Sequence, residues 1–150
     1  MAYSYRLELV LKYRRDLEEM AQQKLGRQQF ILDEKQKKLN ELRTERQNMM
    51  ADFERRKGEP MPAPLFTSYT ESLTYKESDI ELQVRAVKTQ QQAVAKARDE
   101  LAEKVKERKV LEKAKERDFK KYIQEELRKD QKDNDEMMVL RHGRRNRFTA

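Results

Sequence analysis

All three prolines of this 150-residue chain lie within five positions, at Pro60, Pro62 and Pro64. Proline removes a backbone donor and clashes with the preceding helical turn, so a long helix does not run through such a segment. The segments on either side are rich in charged, helix-forming residues. The sequence therefore predicts two long helices joined by a proline-rich turn over residues 58–67.

Apolar residues recur in both segments at steps of three, four and seven, which is the spacing of a coiled-coil seam. When the chain is folded back about Ala63, apolar residues meet in pairs whose numbers sum to 126, such as Leu39 with Val87 and Leu32 with Val94. A constant sum is the mark of antiparallel pairing. We therefore predict an all-α fold, a single domain over residues 1–150 built as an antiparallel coiled-coil hairpin.

The two predicted helices differ in length. Helix one covers about residues 5–57, and Ser68 with Glu71 forms a capping box that places the start of helix two at Ser68. Helix two runs to about Leu140 and is followed by a basic tail over 141–150. About 18 residues at the end of helix two then extend past helix one. Because this overhang carries apolar side chains, it predicts a binding partner.

The seam of helix two also contains polar positions. The residues four places after each seam residue include the polar Glu77, Gln91 and Arg98, which are expected to form weak layers that help to fix the register. In helix one, Gly26 is expected to be a soft point, because a glycine inside a helix costs about 1 kcal/mol relative to alanine.

The composition fits an exposed coiled coil better than a broad globular core, since 42% of the residues are charged and the mean hydropathy is -1.19. Disorder is the alternative, and the sustained apolar period argues against it. There is no cysteine, which excludes disulfides and thiolate chemistry and suits the cytoplasm. No apolar run reaches the roughly 20 residues of a membrane span, so a soluble protein is expected.

Nothing in the sequence predicts an enzyme. The only histidine, His142, lies in the tail, and the carboxylates alternate with Lys and Arg as on a solvated helix face. The glycines are isolated, so there is no nucleotide-binding motif. We expect no catalytic residues, no cofactor, no metal and no small-molecule substrate.

The net charge of +7 is concentrated near the two termini: residues 1–58 carry 14 basic and 10 acidic groups, 59–100 carry 5 and 7, and 101–150 carry 16 and 11. Nucleic-acid binding is one reading of a basic helical hairpin. Acidic residues lie throughout that region, however, and only 137–150 is free of them, so no nucleic acid is expected as a partner. A plain spacer coiled coil is a further alternative.

Three stretches carry a family resemblance: Arg6-Leu7-Glu8-Leu9-Val10-Leu11, Glu107-Arg108-Lys109-Val110-Leu111-Glu112-Lys113, and Gln131-Lys132-Asp133-Asn134-Asp135-Glu136 followed by Arg141. With them the chain resembles the FliJ family of the bacterial flagellar type III export apparatus. The resemblance implies a hairpin similar to the central stalk of a rotary ATPase. It also implies a non-enzymatic role in promoting assembly and activity of the hexameric export ATPase and coupling it to the export gate.

The same resemblance implies partners and sites. The partners are the hexameric export ATPase, the cytoplasmic domain of the export gate, and export chaperones, with a cytoplasmic location that is peripheral to the membrane only through those partners. A stalk of a virulence type III secretion system is the alternative. The implied ATPase-binding residues are Arg14, Arg15, Gln131, Lys132, Asp135, Glu136, Arg141, Arg144 and Arg145. The implied gate-binding residues are Tyr69, Leu73 and Ile80.

Overall fold

Two helices make up nearly all of the computed structural model, which describes residues 2–148. Helix α1 is Glu8–Arg56 and helix α2 is Ala63–Phe148. They pack against each other in opposite directions, as a helical hairpin of coiled-coil type. The predicted all-α fold with a longer second helix is confirmed.

The loop is shorter than predicted and spans residues 57–62. Helix α2 begins at Ala63, so the prediction that it begins at Ser68 is wrong. The N–H groups of Leu65 and Phe66 donate to the carbonyl oxygen of Pro62, at 3.0 and 3.2 Å. Pro64 then lies in the first helical turn, where a backbone N–H would have no acceptor within the helix, so its ring starts the helix instead of breaking it.

Both helices continue through glycines. Helix α2 extends to Phe148, so the predicted non-helical tail over 141–150 is wrong as far as the chain is described, and residues 149–150 lie outside the described part. Helix α1 is likewise unbroken at Gly26. A Cβ added at Gly26 or Gly143 would meet nothing within 4 Å, so no tertiary packing requires a glycine at either position.

The chain divides into two compact units. The loop unit is residues 18–103, and the terminal unit combines residues 2–17 with 104–148. In the loop unit the core contains Leu32, Leu39, Val87 and Val94, with Leu25, Ile80 and Val84 packed against it. In the terminal unit Leu11 is fully buried. The expectation of a single domain stays a prediction.

The helices of the loop unit are paired in a different register from the predicted one. Lys76 Nζ lies 2.6 Å from Glu45 Oε2, and the Tyr69 hydroxyl donates to Asp52 Oδ2 at 2.8 Å; both pairs of numbers sum to 121. Arg56 and Ala63 flank the loop and sum to 119, one heptad below 126. A seam that repeats every seven residues presents the same residue types after a shift of seven. The apolar pattern therefore allows both registers, and the length of the loop determines which one forms.

The polar layers also occupy different positions. Gln91 and Arg98 are exposed, whereas Gln90 and Ala97, three residues after Val87 and Val94, are buried. Gln90 donates to Gln28, and the side-chain amide of Gln83 donates to the carbonyl oxygen of Lys35 at 2.9 Å. The seam therefore contains polar layers. They lie three residues after a seam residue, and not four residues after it as predicted.

Neither helix, over the residues described, contains a stretch apolar and long enough to cross a bilayer.

Candidate partner-binding surfaces

The first residues of the chain are anchored on α2 in the terminal unit. The ring of Tyr3 lies 5.0 Å from that of Phe119 and 5.3 Å from that of Tyr122. Its hydroxyl donates to Asp118 Oδ2 at 3.0 Å. Desolvation, followed by this hydrogen bond, raises the pKa of Tyr3 to about 12. The aromatic cluster thus joins the N-terminal segment to α2.

Arg14 and Arg15, two of the predicted ATPase-binding residues, form ion pairs within the terminal unit. Arg14 Nη1 lies 2.7 Å from Glu107 Oε2, and Arg15 Nη2 lies 3.6 Å from Glu112 Oε1. Both arginines stay partly exposed, but each is matched by a carboxylate of the same chain. They help to hold the unit together, and their role in ATPase binding stays a prediction.

Past Tyr122, helix α2 is almost entirely exposed. Of residues 123–147 only Glu126 is half-buried. We call this stretch the α2 extension; it is about 37 Å long. It holds seven of the predicted site residues, all of them exposed: Gln131, Lys132, Asp135, Glu136, Arg141, Arg144 and Arg145. It also exposes the apolar residues Leu127, Met137, Met138, Val139 and Leu140.

The predicted site residues on the extension do not form a single patch. With 3.6 residues per turn, Gln131 and Asp135 share a face with Met138 and His142. Arg144 lies on the opposite face, about half a turn away. The structure thus brings the residues together along one helix but distributes them around it.

Charge is segregated along the extension. Residues 125–136 contain six acidic and three basic side chains, whereas residues 137–147 contain four arginines and no acid. Exposed helices usually mix the two signs to form pairs between residues three or four apart. A block of arginines with no acid among it favours an acidic partner surface.

In the loop unit, the predicted gate residue Tyr69 takes part in packing beside the loop. Its ring lies 5.5 Å from that of Phe53, and the Arg56 guanidinium lies 5.9 Å from its centre. The hydrogen bond to Asp52 raises the pKa of Tyr69, desolvation adds to the rise, and Arg56 opposes it. These contacts connect the two helices.

The other predicted gate residues, Leu73 and Ile80, are also half-buried, and Ile80 packs against the core. The exposed apolar residues of this part of α2 are instead Tyr75 and Leu82, which are 72% and 62% exposed. They lie seven residues apart on one face. Sequence reasoning missed them because it assigned apolar residues to the seam, although their own seven-residue spacing off the seam was a usable signal.

Helix α1 also has an exposed apolar surface that sequence reasoning missed. Within the loop unit, Met20 and Phe30 are exposed on α1. Gln23, Gly26 and Arg27 line a shallow groove beside Phe30. Single exposed apolar residues are common on soluble proteins, and this groove is wide open to solvent. Among the described residues no cluster of His, Asp or Glu is arranged to hold a metal ion.

Two long helices that pack in opposite directions, with polar layers in their seam, define a coiled-coil hairpin protein. The profile described as flagellar FliJ protein matches residues 3–147. The chain belongs to the FliJ family and is thus a component of a type III export apparatus. No curated protein matches it.

A solved structure gives a second comparison. The chain is similar to the putative YscO homolog CT670 from Chlamydia trachomatis, with a TM-score of 0.57 and 22% sequence identity. The similarity covers 94% of this chain and 96% of the other. At this identity the likeness supports the hairpin fold and not a shared activity.

Proposed function

We propose that this chain is a non-enzymatic stalk of the flagellar export ATPase complex. In this proposal the α2 extension enters the central opening of the hexameric ATPase, promotes ring assembly and ATP hydrolysis, and couples the ring to the export gate. Export chaperones are further partners. The chain works in the cytoplasm, at the inner face of the membrane, through these partners.

The observation that carries the proposal is the α2 extension itself. This helix is about 37 Å long, exposes apolar side chains and ends in a block of arginines with no acid among them. These features suit a helix that inserts into a partner. Long-range attraction between this block and carboxylates inside a ring would guide insertion and would weaken as salt rises. Because the chain belongs to the FliJ family, we take the export ATPase to be the partner.

Binding to the cognate export ATPase tests the stalk. Full-length protein should promote ring formation and faster ATP hydrolysis, and removal of residues 137–150 should weaken binding and reduce its salt dependence. Arg141→Glu should weaken binding several-fold. The matched control is Lys96→Glu, at an exposed position of the loop unit. Unchanged binding of the truncated protein at low salt would contradict the proposal.

We assign the gate contact to the exposed face of Tyr75 and Leu82 more than to the predicted Tyr69, Leu73 and Ile80. The predicted residues are occupied in packing, whereas Tyr75 and Leu82 offer apolar surface to a partner. Tyr75→Ala with Leu82→Ala should lower affinity for the gate's cytoplasmic domain without changing the melting temperature. Met20→Ala with Phe30→Ala is the matched control. Equal losses in both pairs would contradict the assignment.

A virulence type III secretion system is the alternative setting, and the hairpin fold shared with the putative YscO homolog is compatible with it. Fold and mechanism are the same in both settings, so partner choice separates them. Pull-down of the chain against export ATPases of flagellar and virulence type would decide. Binding to neither would leave a plain spacer coiled coil.

A further inference from the structure

One face of the α2 extension has an ordered arrangement of charge. Residues at alternating steps of four and three share this face, and we call them the extension stripe. From the N-terminal to the C-terminal end the stripe is Glu126, Asp130, Asp133, Met137, Leu140, Arg144 and Arg147. Successive members stay within about 100° of one another around the helix.

The stripe is accessible along its length. Every member is exposed except Glu126, which is half-buried, and Met137 and Leu140 are 55% and 68% exposed. The order is three acids, two apolar residues and two arginines. Lys129, at the edge of the stripe, is the one basic residue within its acidic half.

This order is self-complementary in one orientation only. When two copies of the stripe are laid antiparallel about a twofold axis near Met137, Asp130 of each copy faces Arg144 of the other. Met137 then meets its counterpart at the centre, with one Leu140 about one helical turn away on each side of it. A parallel arrangement would place acid on acid and arginine on arginine, which is unfavourable. A twofold interface of this kind uses the same surface on both subunits.

We propose that the chain forms a homodimer through antiparallel pairing of two α2 extensions along the extension stripe. The contact is about 32 Å long and has only two apolar residues per copy. With so few apolar side chains, the contact gains little from apolar burial. Exposed ion pairs contribute about 0.2–1 kcal/mol each and are screened by salt. The dimer is therefore weak, reversible and salt-sensitive.

Self-pairing goes beyond the proposed function and does not depend on it. Gln131 and Asp135, on the opposite face of the extension, stay accessible in the dimer, whereas Arg144 is covered. A partner that binds Arg144 therefore competes with the second copy for this face of the extension. A partner that contacts only Gln131 and Asp135 does not compete.

Charge exchange tests the pairing in sedimentation equilibrium of the full-length protein at low and physiological salt. Asp130→Arg and Arg144→Asp should each weaken dimerisation about tenfold or more, because each variant places like charges together at both symmetric positions. An equimolar mixture of the two variants should dimerise at least as well as the unaltered protein. In the mixture every exchanged charge again faces its opposite.

The matched control is Asp135→Arg, which makes the same charge change on the opposite face and should alter dimerisation less than threefold. All three positions are exposed, and circular dichroism confirms that the variants keep their helices. A protein that is monomeric at every concentration overturns the proposal. So does failure of the mixture to restore pairing, or an Asp135→Arg variant as weak as Arg144→Asp.

Discussion

The side-chain amide of Gln90 donates two hydrogen bonds to Gln28, at 2.9 Å to its backbone oxygen and 2.7 Å to its side-chain oxygen. Gln90 is only 7% exposed, and it lies between Val87 and Val94 in the core of the loop unit. A buried polar residue in a seam costs some stability and specifies register, because a shifted pairing leaves it without partners.

Gln90→Ala should lower the free energy of unfolding by about 1–2 kcal/mol, because it removes both hydrogen bonds and leaves a gap in the seam. Chemical denaturation followed by circular dichroism measures the change. Gln91→Ala is the matched control, since Gln91 is exposed, and it should stay within about 0.5 kcal/mol of the unaltered protein. Equal effects at the two positions would mean that Gln90 does not form this layer.

Thiol cross-linking should distinguish the two registers. Glu45→Cys with Lys76→Cys joins positions whose side chains form a 2.6 Å ion pair, and a short bifunctional reagent should link them rapidly. Glu45→Cys with Glu81→Cys represents the register that sums to 126 and should react more slowly. The protein has no cysteine of its own, so no background reaction interferes. Faster linking of Glu45→Cys with Glu81→Cys would contradict the observed register and support the predicted one, with its longer turn.

The aromatic cluster beside the loop should contribute to stability. Phe53 is half-buried, with its ring 5.6 Å from that of Phe66 and 5.5 Å from that of Tyr69. Phe53→Ala should lower the free energy of unfolding by about 2 kcal/mol, less than for a fully buried phenylalanine. Phe30→Ala makes the same change at an exposed position of α1 and should cost about 0.5 kcal/mol or less. A larger loss at Phe30 would contradict the packing.

The anchoring of Tyr3 predicts a dependence on alkaline pH. Its pKa is raised from 10.0 to about 12 in the folded chain, so between these values the unfolded chain loses the proton first. Stability contributed by Tyr3 is therefore complete below pH 10 and falls as pH rises toward about 12. Thermal unfolding over this range should show a steeper loss in the unaltered protein than in Tyr3→Phe. Parallel curves would contradict the anchor.

The sequence predicted the two helices, their antiparallel pairing and most of the core, because the seven-residue apolar period determines which faces meet. It did not predict the register. Leu39 and Val87 are both in the core, but a repeat of seven is unchanged by a shift of seven. The deciding feature was the length of the loop, and Pro64 in the first turn of α2 made that loop appear longer than it is.

The candidate surfaces were less predictable. The extension followed from the unequal helix lengths, and its seven predicted residues are exposed. Arg14 and Arg15 differ, because whether a charged residue pairs with Glu107 or Glu112 depends on which residues lie across the seam. Tyr75 and Leu82 were missed for a different reason: attention went to the apolar residues of the seam, and these two lie off it with a seven-residue spacing of their own.

The short loop gives the hairpin a preferred order of assembly. The hydrogen bond between Tyr69 and Asp52 closes 17 residues of chain, whereas that between Tyr3 and Asp118 closes 115. From an open chain the longer closure costs about 2 kcal/mol more in entropy. Zippering is thus expected to start near the prolines and travel outward, so the Tyr3 contact forms last and is the first to fray.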